Sequence, residues 1–167
     1  MHIRPEEARD HERVFAIIEA AFDSPGEAKL VCALREQADP LISLVAEVDE
    51  QVVGHVVFSP ATLLGHPELK VMGLAPVSVI PAEQKTGIGS ALIQAGLQAC
   101  RELGAQAAIV LGHAEYYPRF GFAPSVSLGI RSEYDVPDDL FMVMEFEAGA
   151  LEGKSGMIRY HPAFKGL

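Results

Sequence analysis

The sequence contains no tryptophan, only two cysteines and few basic residues. Its 13 lysines and arginines are outnumbered by 23 aspartates and glutamates, so the formal net charge at pH 7 is -10. Nucleic-acid binding depends on clustered basic side chains that contact phosphates, and this charge balance therefore argues against a nucleic-acid partner. Cys32 and Cys100 form no C-x-x-C pair, so the sequence predicts free, buried thiols and no metal site.

Long hydrophobic runs are also missing. No stretch approaches the roughly 20 apolar residues of a membrane-spanning helix, so no membrane partner is expected. The first residues, M-H-I-R-P-E-E, become acidic at once and lack the apolar core of a secretory signal. These absences predict a cytoplasmic protein. The length suits one domain, which we expect to span residues 1–167, and the sequence leaves association into a homodimer open.

Apolar residues recur at helical spacing in three segments and in β-prone runs in several others. Helices are predicted near residues 8–22, 26–38 and 87–103, with a short helical turn at 115–120. Strands are predicted at residues 2–4, 42–48, 52–59, 71–80, 107–111, 141–146 and 157–160, and residues 121–139 are expected to be mostly irregular. The strand, helix and strand between residues 71 and 111 favour a right-handed parallel crossover.

The run at residues 71–80, V-M-G-L-A-P-V-S-V-I, is apolar almost throughout, as is typical of a central strand covered on both faces. Pro76 lies inside it. Because proline has no N–H to donate to a neighbouring strand, we expect the pairing to be bulged or absent on one side at that point. Such an interruption opens room beside the strand.

The loop at residues 84–90, Q-K-T-G-I-G-S, leads into the predicted long helix. The first N–H groups of a helix lack internal acceptors, the helix dipole is positive there, and glycines allow close approach to the main chain. Lys85 and the hydroxyls of Thr86 and Ser90 add donors. These features indicate an anion site, although glycines at a helix start can also serve tight packing alone.

Two nucleotide-binding motifs are excluded by the same loop. A P-loop requires G-x-x-x-x-G-K-[ST], which is absent from the sequence. A dinucleotide fingerprint requires a third glycine where Leu92 stands. The loop therefore predicts an anion site of another kind.

The pattern Q-x-x-G-x-G at residues 84–89 resembles the pyrophosphate-binding motif of the GNAT superfamily of N-acetyltransferases. The segment L-G-H-A-E-Y-Y-P-R-F-G-F at residues 111–122 resembles the second signature of that family, Y-x-x-x-G-F, which begins here at Tyr117. The two motifs lie in family order and spacing, and the order of elements matches over nearly the whole chain. The Y-Y-P-R-F-G-F form resembles a bacterial subgroup of predicted small acetyltransferases.

The resemblance implies an α/β (α+β) fold with a mixed central sheet of about six or seven strands flanked by helices, and a parallel pair splayed at the cofactor site. It also implies acetyl-CoA as cosubstrate. Main-chain groups of Val77, Ser78 and Val79 would bind the thioester carbonyl and the pantetheine amides. The pyrophosphate would be held by Gln84, Lys85, Thr86, Gly87, Ile88, Gly89 and Ser90.

Tyr117 occupies the family position of the general acid that meets the departing CoA sulfur. A thiol pKa of roughly 8.5 against about 10 for tyrosine makes full proton transfer uphill by about 2 kcal/mol unless the site lowers the tyrosine pKa, so hydrogen-bond donation can suffice. The alternative is a packing aromatic residue in a short helix. Tyr116 is left as a structural or substrate-lining residue.

The general base stays open at this point. Glu115 and His113 are candidates because they are close to Tyr117 in sequence, water is a third, and both side chains can equally be solvated or structural. The chain also lacks the asparagine that often precedes the tyrosine helix in the family, which puts that cofactor contact in doubt.

The sequence thus predicts an acetyl-CoA-dependent N-acetyltransferase that acts on a primary amine of a small molecule or peptide by direct attack on the thioester. A non-catalytic module that binds or senses acyl-CoA is the main alternative, and a generic anion-binding scaffold is a third. The presence of an acid at Tyr117 favours catalysis.

Overall fold

A computed structural model describes residues 1–167 and contains three α-helices and nine β-strands. The helices are α1 (His11–Phe22), α2 (Gly26–Gln37) and α3 (Ile88–Glu102). The strands are β1 (His2–Pro5), β2 (Ile42–Val48), β3 (Gln51–Leu63), β4 (Val71–Val79), β5 (Ala107–Leu111), β6 (Ala123–Pro124), β7 (Ile130–Ser132), β8 (Phe141–Glu145) and β9 (Gly156–Arg159). Short 3-10 turns lie at Ala8–Asp10, Pro81–Glu83, Tyr117–Phe120, Ser125–Leu128 and Pro162–Gly166.

The predicted elements differ from the observed ones mainly at their ends. The first predicted helix is divided, because Ala8–Asp10 forms a 3-10 turn before α1 begins. The strand predicted at residues 52–59 continues to Leu63. Two short strands, β6 and β7, lie in the segment that was expected to be mostly irregular.

The chain divides into two compact units. The first comprises residues 1–59, 75–99 and 162–167, and the second comprises residues 60–74 and 100–161. Strands β3 and β4 contribute residues to both units. A single domain over residues 1–167 stays a prediction.

The first unit contains the strand order β1-β2-β3-β4. β2 and β3 form the predicted antiparallel hairpin, with Ile42 opposite Phe58 and Val48 opposite Gln51. β3 and β4 are neighbours joined by the short connection at residues 64–70, which is too short for a parallel crossover, so they too are antiparallel.

Helix α3 packs very closely against β3 in this unit. A Cβ added to Gly96 would lie 2.1 Å from Cε1 of Phe58, which is far inside the contact distance of two carbon atoms. A Cβ added to Gly54 would lie 3.0 Å from Cδ1 of Leu92. Glycine at position 96 is therefore required by the packing of the helix on the strand.

The second unit contains the strand order β4-β5-β8-β6 and the pair β7 with β9. β4 pairs in parallel with β5, whereas β5 and β6 each pair antiparallel with β8. The prediction of a mixed sheet that includes a parallel pair around the long helix is confirmed. None of the three helices combines the length and the apolar character needed to cross a membrane.

Candidate functional site

Strand β4 extends well past its last parallel pair. The pairing with β5 runs from Val71–Ala107 to Gly73–Ile109, and β4 then continues to Val79. Pro76 lies in this continuation, where the sequence predicts interrupted pairing. The main chain around residues 77–79 therefore lies beyond the β5 ladder, and Ser78 is buried there with 3% of its surface exposed.

The loop that follows β4 is held by its own side chains. Gln84 Nε2 donates a hydrogen bond to the carbonyl of Val79 at 3.0 Å. Thr86 Oγ1 donates to the carbonyl of Glu83 at 2.5 Å, so this hydroxyl bonds inside the loop and not outward. These two bonds fix the loop on the end of the strand.

Two residues of this loop have left-handed backbone angles, a conformation that suits anion binding. Lys85 has a φ of 65° and Gly87 a φ of 90°, both in the left-handed region, where a non-glycine residue such as lysine is uncommon. Successive N–H groups in such turns converge to form concave anion-binding nests. A Cβ added to Gly87 would meet nothing within 4 Å, so the space above the loop is open.

The first turn of α3 adds main-chain donors. Ala91 donates to the carbonyl of Gly87 at 3.0 Å, which is the first hydrogen bond of the helix. The N–H groups of Ile88 and Gly89 precede that bond and have no acceptor inside the helix. With the positive end of the helix dipole, they complete an open cradle that suits a phosphate group.

The second motif forms an aromatic turn in the other unit. Tyr117 begins the 3-10 turn Tyr117–Phe120 and is buried, with 7% of its surface exposed. Its ring meets Tyr116 and Phe122 edge to face, at centroid distances of 5.1 and 5.9 Å. A Cβ added to Gly112 would lie 2.4 Å from Cε2 of Tyr117, so the ring packs directly on the glycine backbone.

Burial raises the pKa of Tyr117 to about 12, and Tyr116 beside it contributes to the same rise. This direction is opposite to the one that proton transfer to a thiolate requires. Against a thiol pKa of roughly 8.5, the transfer is uphill by about 5 kcal/mol. A hydroxyl with such a pKa stays protonated and acts as a hydrogen-bond donor.

The residues near Tyr117 that were considered as bases lie at the surface or close to it. Glu115 and His113 are both exposed. The carbonyl of His113 accepts a hydrogen bond from the N–H of Tyr116 at 3.1 Å. The guanidinium of Arg119 stacks on the Tyr116 ring at 4.4 Å, which favours a structural role for Tyr116. No group of three or more His, Cys, Asp or Glu side chains is arranged to hold a metal ion.

A buried polar cluster in the first unit was not anticipated from the sequence. The carboxylate of Glu6 lies at its centre, with 4% of the side chain exposed. It accepts hydrogen bonds from Arg35 Nε at 2.6 Å and from Ser43 Oγ at 3.0 Å, and it lies 2.9 Å from His55 Nε2. His11 Nε2 lies 3.2 Å from its other oxygen.

This cluster joins α1, α2, β2 and β3 to the turn that follows β1, so its residues come from five separate segments. Burial would weaken the acidity of Glu6, but the hydrogen bonds from His55 and Arg35 outweigh it and lower the pKa of Glu6 to about 2. Burial lowers the pKa of His55. The one sequence signal was a histidine inside the apolar run V-V-G-H-V-V of β3.

Residues 2–125 match the family model of the acetyltransferase (GNAT) domain. The chain belongs to the GNAT family of acetyltransferases. It is 35% identical to the uncharacterized N-acetyltransferase YhbS of Escherichia coli (strain K12) over 165 residues, which cover 98% of each chain. It is 42% identical to the uncharacterized N-acetyltransferase YjhQ of the same strain over 123 residues, which cover 71% of this chain and 68% of YjhQ.

Two solved structures of GNAT proteins resemble this chain over almost its whole length. The crystal structure of YhbS from Escherichia coli, in complex with CoA, has a TM-score of 0.91 and 34% identity, with 98% of this chain and 91% of YhbS covered. A GNAT acetyltransferase from Brucella melitensis, in complex with acetyl-CoA, has a TM-score of 0.80 and 37% identity, with 98% and 97% covered. The predicted superfamily and the predicted enzyme class, an N-acetyltransferase, are confirmed.

Proposed function

We propose that this GNAT protein transfers the acetyl group of acetyl-CoA to a primary amine of a small molecule or peptide. The observation that carries the proposal is the open cradle of main-chain N–H groups at residues 85–89, set directly after the end of β4. It has the shape and polarity that a diphosphate requires. The CoA and acetyl-CoA complexes of the two related structures support acetyl-CoA as the cosubstrate.

In this proposal the loop holds the cosubstrate mainly through its backbone. The N–H groups of the nest and of the first turn of α3 bind the pyrophosphate, and Lys85 adds an exposed positive charge. Because Gln84 and Thr86 donate to carbonyls of the same segment, their side chains shape the cradle. Ser90 lies in the first turn of the helix at the edge of this set.

The end of β4 supplies the second set of contacts. Main-chain groups of Val77, Ser78 and Val79 pair with the pantetheine arm in place of a neighbouring strand, since β4 passes its last pair with β5 at Gly73. An N–H near Val77 directed at the thioester oxygen stabilises the negative charge that develops when the amine attacks the carbonyl carbon. The carbon–nitrogen bond forms and the carbon–sulfur bond breaks in one acyl transfer.

Tyr117 serves the leaving group. With a pKa of about 12 its hydroxyl remains protonated, so it donates a hydrogen bond to the departing sulfur and does not transfer its proton completely. A lysine-type amine with a pKa of about 10.4 must also lose a proton, which costs about 4.6 kcal/mol at neutral pH, whereas an α-amino group costs about 1.4 kcal/mol. The enzyme therefore needs a route for that proton.

A screen for CoA release tests this function. Acetyl-CoA is incubated with a panel of amines and peptides, and thiol release is followed for the unmodified protein and for Tyr117→Phe. We expect release with at least one acceptor, unchanged acetyl-CoA affinity in the variant and reduced turnover. Undiminished turnover in Tyr117→Phe would remove this residue from the acid role.

Two further outcomes would favour the alternatives. Calorimetric binding of acetyl-CoA without release on any acceptor would indicate a module that senses acyl-CoA. No binding heat with CoA or acetyl-CoA at millimolar concentration would contradict the proposal as a whole. A cytoplasmic location and a homodimer stay predictions.

A further inference from the structure

Three buried polar side-chain atoms in the first unit have no hydrogen-bond partner. One is Oε2 of Glu27 on α2, and the other two are Nδ1 of His55 and Oγ of Ser78. His55 is completely buried and Ser78 is 3% exposed, so neither atom bonds to bulk water. An unsatisfied buried polar group lowers stability, and its retention calls for a functional reason.

The two residues lie on neighbouring strands. The N–H of Ile80, the residue that follows β4, donates to the carbonyl of Val53 in β3 at 2.9 Å, which places these two residues opposite each other. Counting two residues back along β4 and two forward along β3 brings Ser78 opposite His55, on the same face of the antiparallel pair. The Cβ position of Gly54 faces α3, so His55 and Ser78 face the other side, where the Glu6 cluster lies.

The cluster determines which nitrogen of His55 carries the proton. Nε2 lies 2.8 Å from Ser43 Oγ and 2.9 Å from a carboxylate oxygen of Glu6. Because the Ser43 hydroxyl donates to Glu6, both neighbours of Nε2 accept, so this nitrogen donates. Burial lowers the pKa of the imidazole, which keeps it neutral. A neutral ring with its proton on Nε2 has a free lone pair on Nδ1, and this is the unpartnered atom.

We propose that His55, held by Glu6, receives the proton of the attacking amine through the hydroxyl of Ser78. This inference rests on the proposed function, because β4 at residues 77–79 is the strand expected to hold the thioester. It supplies the proton route that Tyr117, His113 and Glu115 leave unassigned. Ser78 is the residue next to the reacting atoms, and His55 and Glu6 act through it as positioning residues.

Every proton that moves in this step has a donor and an acceptor. As the neutral amine nitrogen bonds to the carbonyl carbon, its excess proton passes to Oγ of Ser78 while the Ser78 proton passes to Nδ1 of His55 across one water, because the two side-chain atoms are not hydrogen-bonded to each other. The imidazolium that forms is stabilised by the Glu6 carboxylate. When the carbon–sulfur bond breaks, the sulfur leaves with its electron pair as a thiolate, which accepts a hydrogen bond from Tyr117, and the one proton lost by the amine leaves through His55.

The cluster also provides an exit to solvent. His11 Nε2 lies 3.2 Å from Glu6 Oε1, and 48% of the His11 side chain is exposed. The other charged groups that act on this site are Arg35 from α2, bonded to Glu6, and Asp10 from the turn before α1. Because Arg35 lowers the pKa of Glu6, the carboxylate passes the proton from His55 on to His11 and solvent and does not retain it.

An NMR measurement tests the tautomer independently of activity. Ring nitrogens are observed in ¹⁵N-histidine-labelled protein, with His55→Gln used to assign the signal of His55. We expect a neutral ring at pH 7 with the proton on Nε2. A proton on Nδ1 would overturn the proposal even if the protein proves to be an active enzyme.

Kinetics with methylamine as acceptor test the relay itself. Below the pKa of His55, log kcat/KM should fall with a slope of about two as pH falls, because methylamine and His55 both take up protons, and His55→Gln should restore a slope of about one. The range from about pH 9 to about pH 4 is covered, with circular dichroism confirming that the protein stays folded. An unchanged slope in the variant would contradict the relay.

A matched pair of serine variants separates the relay from simple packing. Ser78→Ala should lower kcat about tenfold with unchanged acetyl-CoA affinity, since its cosubstrate contacts are made by the backbone. Ser59→Ala, which removes another buried serine hydroxyl from β3, should leave kcat unchanged. Equal losses in both variants would overturn the proposal. Absence of any acetyl transfer by the unmodified protein would instead contradict the proposed function. The NMR measurement would still show which nitrogen of His55 carries the proton.

Discussion

The loop before α3 and the cluster around Glu6 lie in the same unit, but the loop presents its backbone and the cluster is built from side chains. In the loop, exposed residues present main-chain N–H groups, and the side chains of Gln84 and Thr86 turn back onto the backbone. In the cluster, five segments bring charged side chains together in the interior. The loop should therefore be sensitive to changes in backbone geometry, and the cluster to changes in side-chain chemistry.

The largest effect is expected from Glu6→Ala. Removing the carboxylate leaves Arg35, whose side chain is 16% exposed, without its partner, and breaking such a largely buried pair costs about 3–5 kcal/mol of unfolding free energy. Urea unfolding of the unmodified protein and the variant measures this loss of unfolding free energy. Glu7→Gln is the matched control, because the Glu7 side chain is 54% exposed and its pair with Arg9 lies at the surface. A loss below 1 kcal/mol in Glu6→Ala, or an equal loss in both, would contradict the assignment of Glu6 as the centre of the cluster.

The second prediction concerns stability as pH falls. His55 and Glu6 both have lowered pKa values in the folded protein, so the unfolded chain binds protons first and acid destabilises the fold. The contribution of His55 is complete above its unfolded pKa of 6.5 and is lost below it. That of Glu6 is complete above 4.5 and is lost as pH falls toward about 2, an effect of about 3 kcal/mol.

Unfolding free energies measured from neutral to acidic pH should show these two steps. His55→Gln should remove the upper step and keep the lower one. A stability that rises on acidification through this range would show that the cluster is not ionised in the way described.

A smaller effect, on binding rather than stability, is expected from Gly87→Asp. The residue has a φ of 90°, which an aspartate adopts only with strain, and the new carboxylate repels phosphate. We expect acetyl-CoA affinity to fall about 10- to 100-fold by calorimetry, a loss of about 1.4–2.7 kcal/mol. Unchanged affinity would favour the generic anion-binding scaffold over the cosubstrate loop.

The smallest effect is expected from Lys85→Ala. Its side chain is exposed, and surface charge interactions contribute about 0.2–1 kcal/mol, so acetyl-CoA affinity should fall by no more than about fivefold. Added salt should reduce the difference between the two proteins. A loss as large as that of Gly87→Asp would mean that the side chain, and not the backbone, holds the pyrophosphate.

The loop could be predicted because its chemistry is local. A few consecutive residues between a buried strand and a helix carry the glycines and donors of the cradle, and the family motif lies within the same segment. The buried run at residues 71–80 and the long helix were equally clear from their periodicity. The roles of single side chains in the loop were harder to predict. The Thr86 hydroxyl was expected to bind the anion, but it donates to the carbonyl of Glu83 within the loop.

The cluster could not be predicted because its residues are distant in sequence. Glu6, Arg35 and His55 meet only after two helices and three strands have packed, and no spacing between them indicates this. Strands β6 and β7 were missed for another reason. They are two and three residues long, which is too short for an alternating pattern to be visible.

The contact between Gly96 and Phe58 has a consequence for the cradle, about 12 Å away along α3 at 1.5 Å per residue. Because α3 is rigid and packs on the Phe58 ring at Gly96, a change in the size of that ring would shift both ends of the helix. The close packing of Gly96 on Phe58 therefore also bears on where the first turn of α3 lies above β3. Replacing Phe58 by a smaller side chain would bring the first turn of α3 closer to β3 and change the affinity for the cosubstrate, although Phe58 lies in the core.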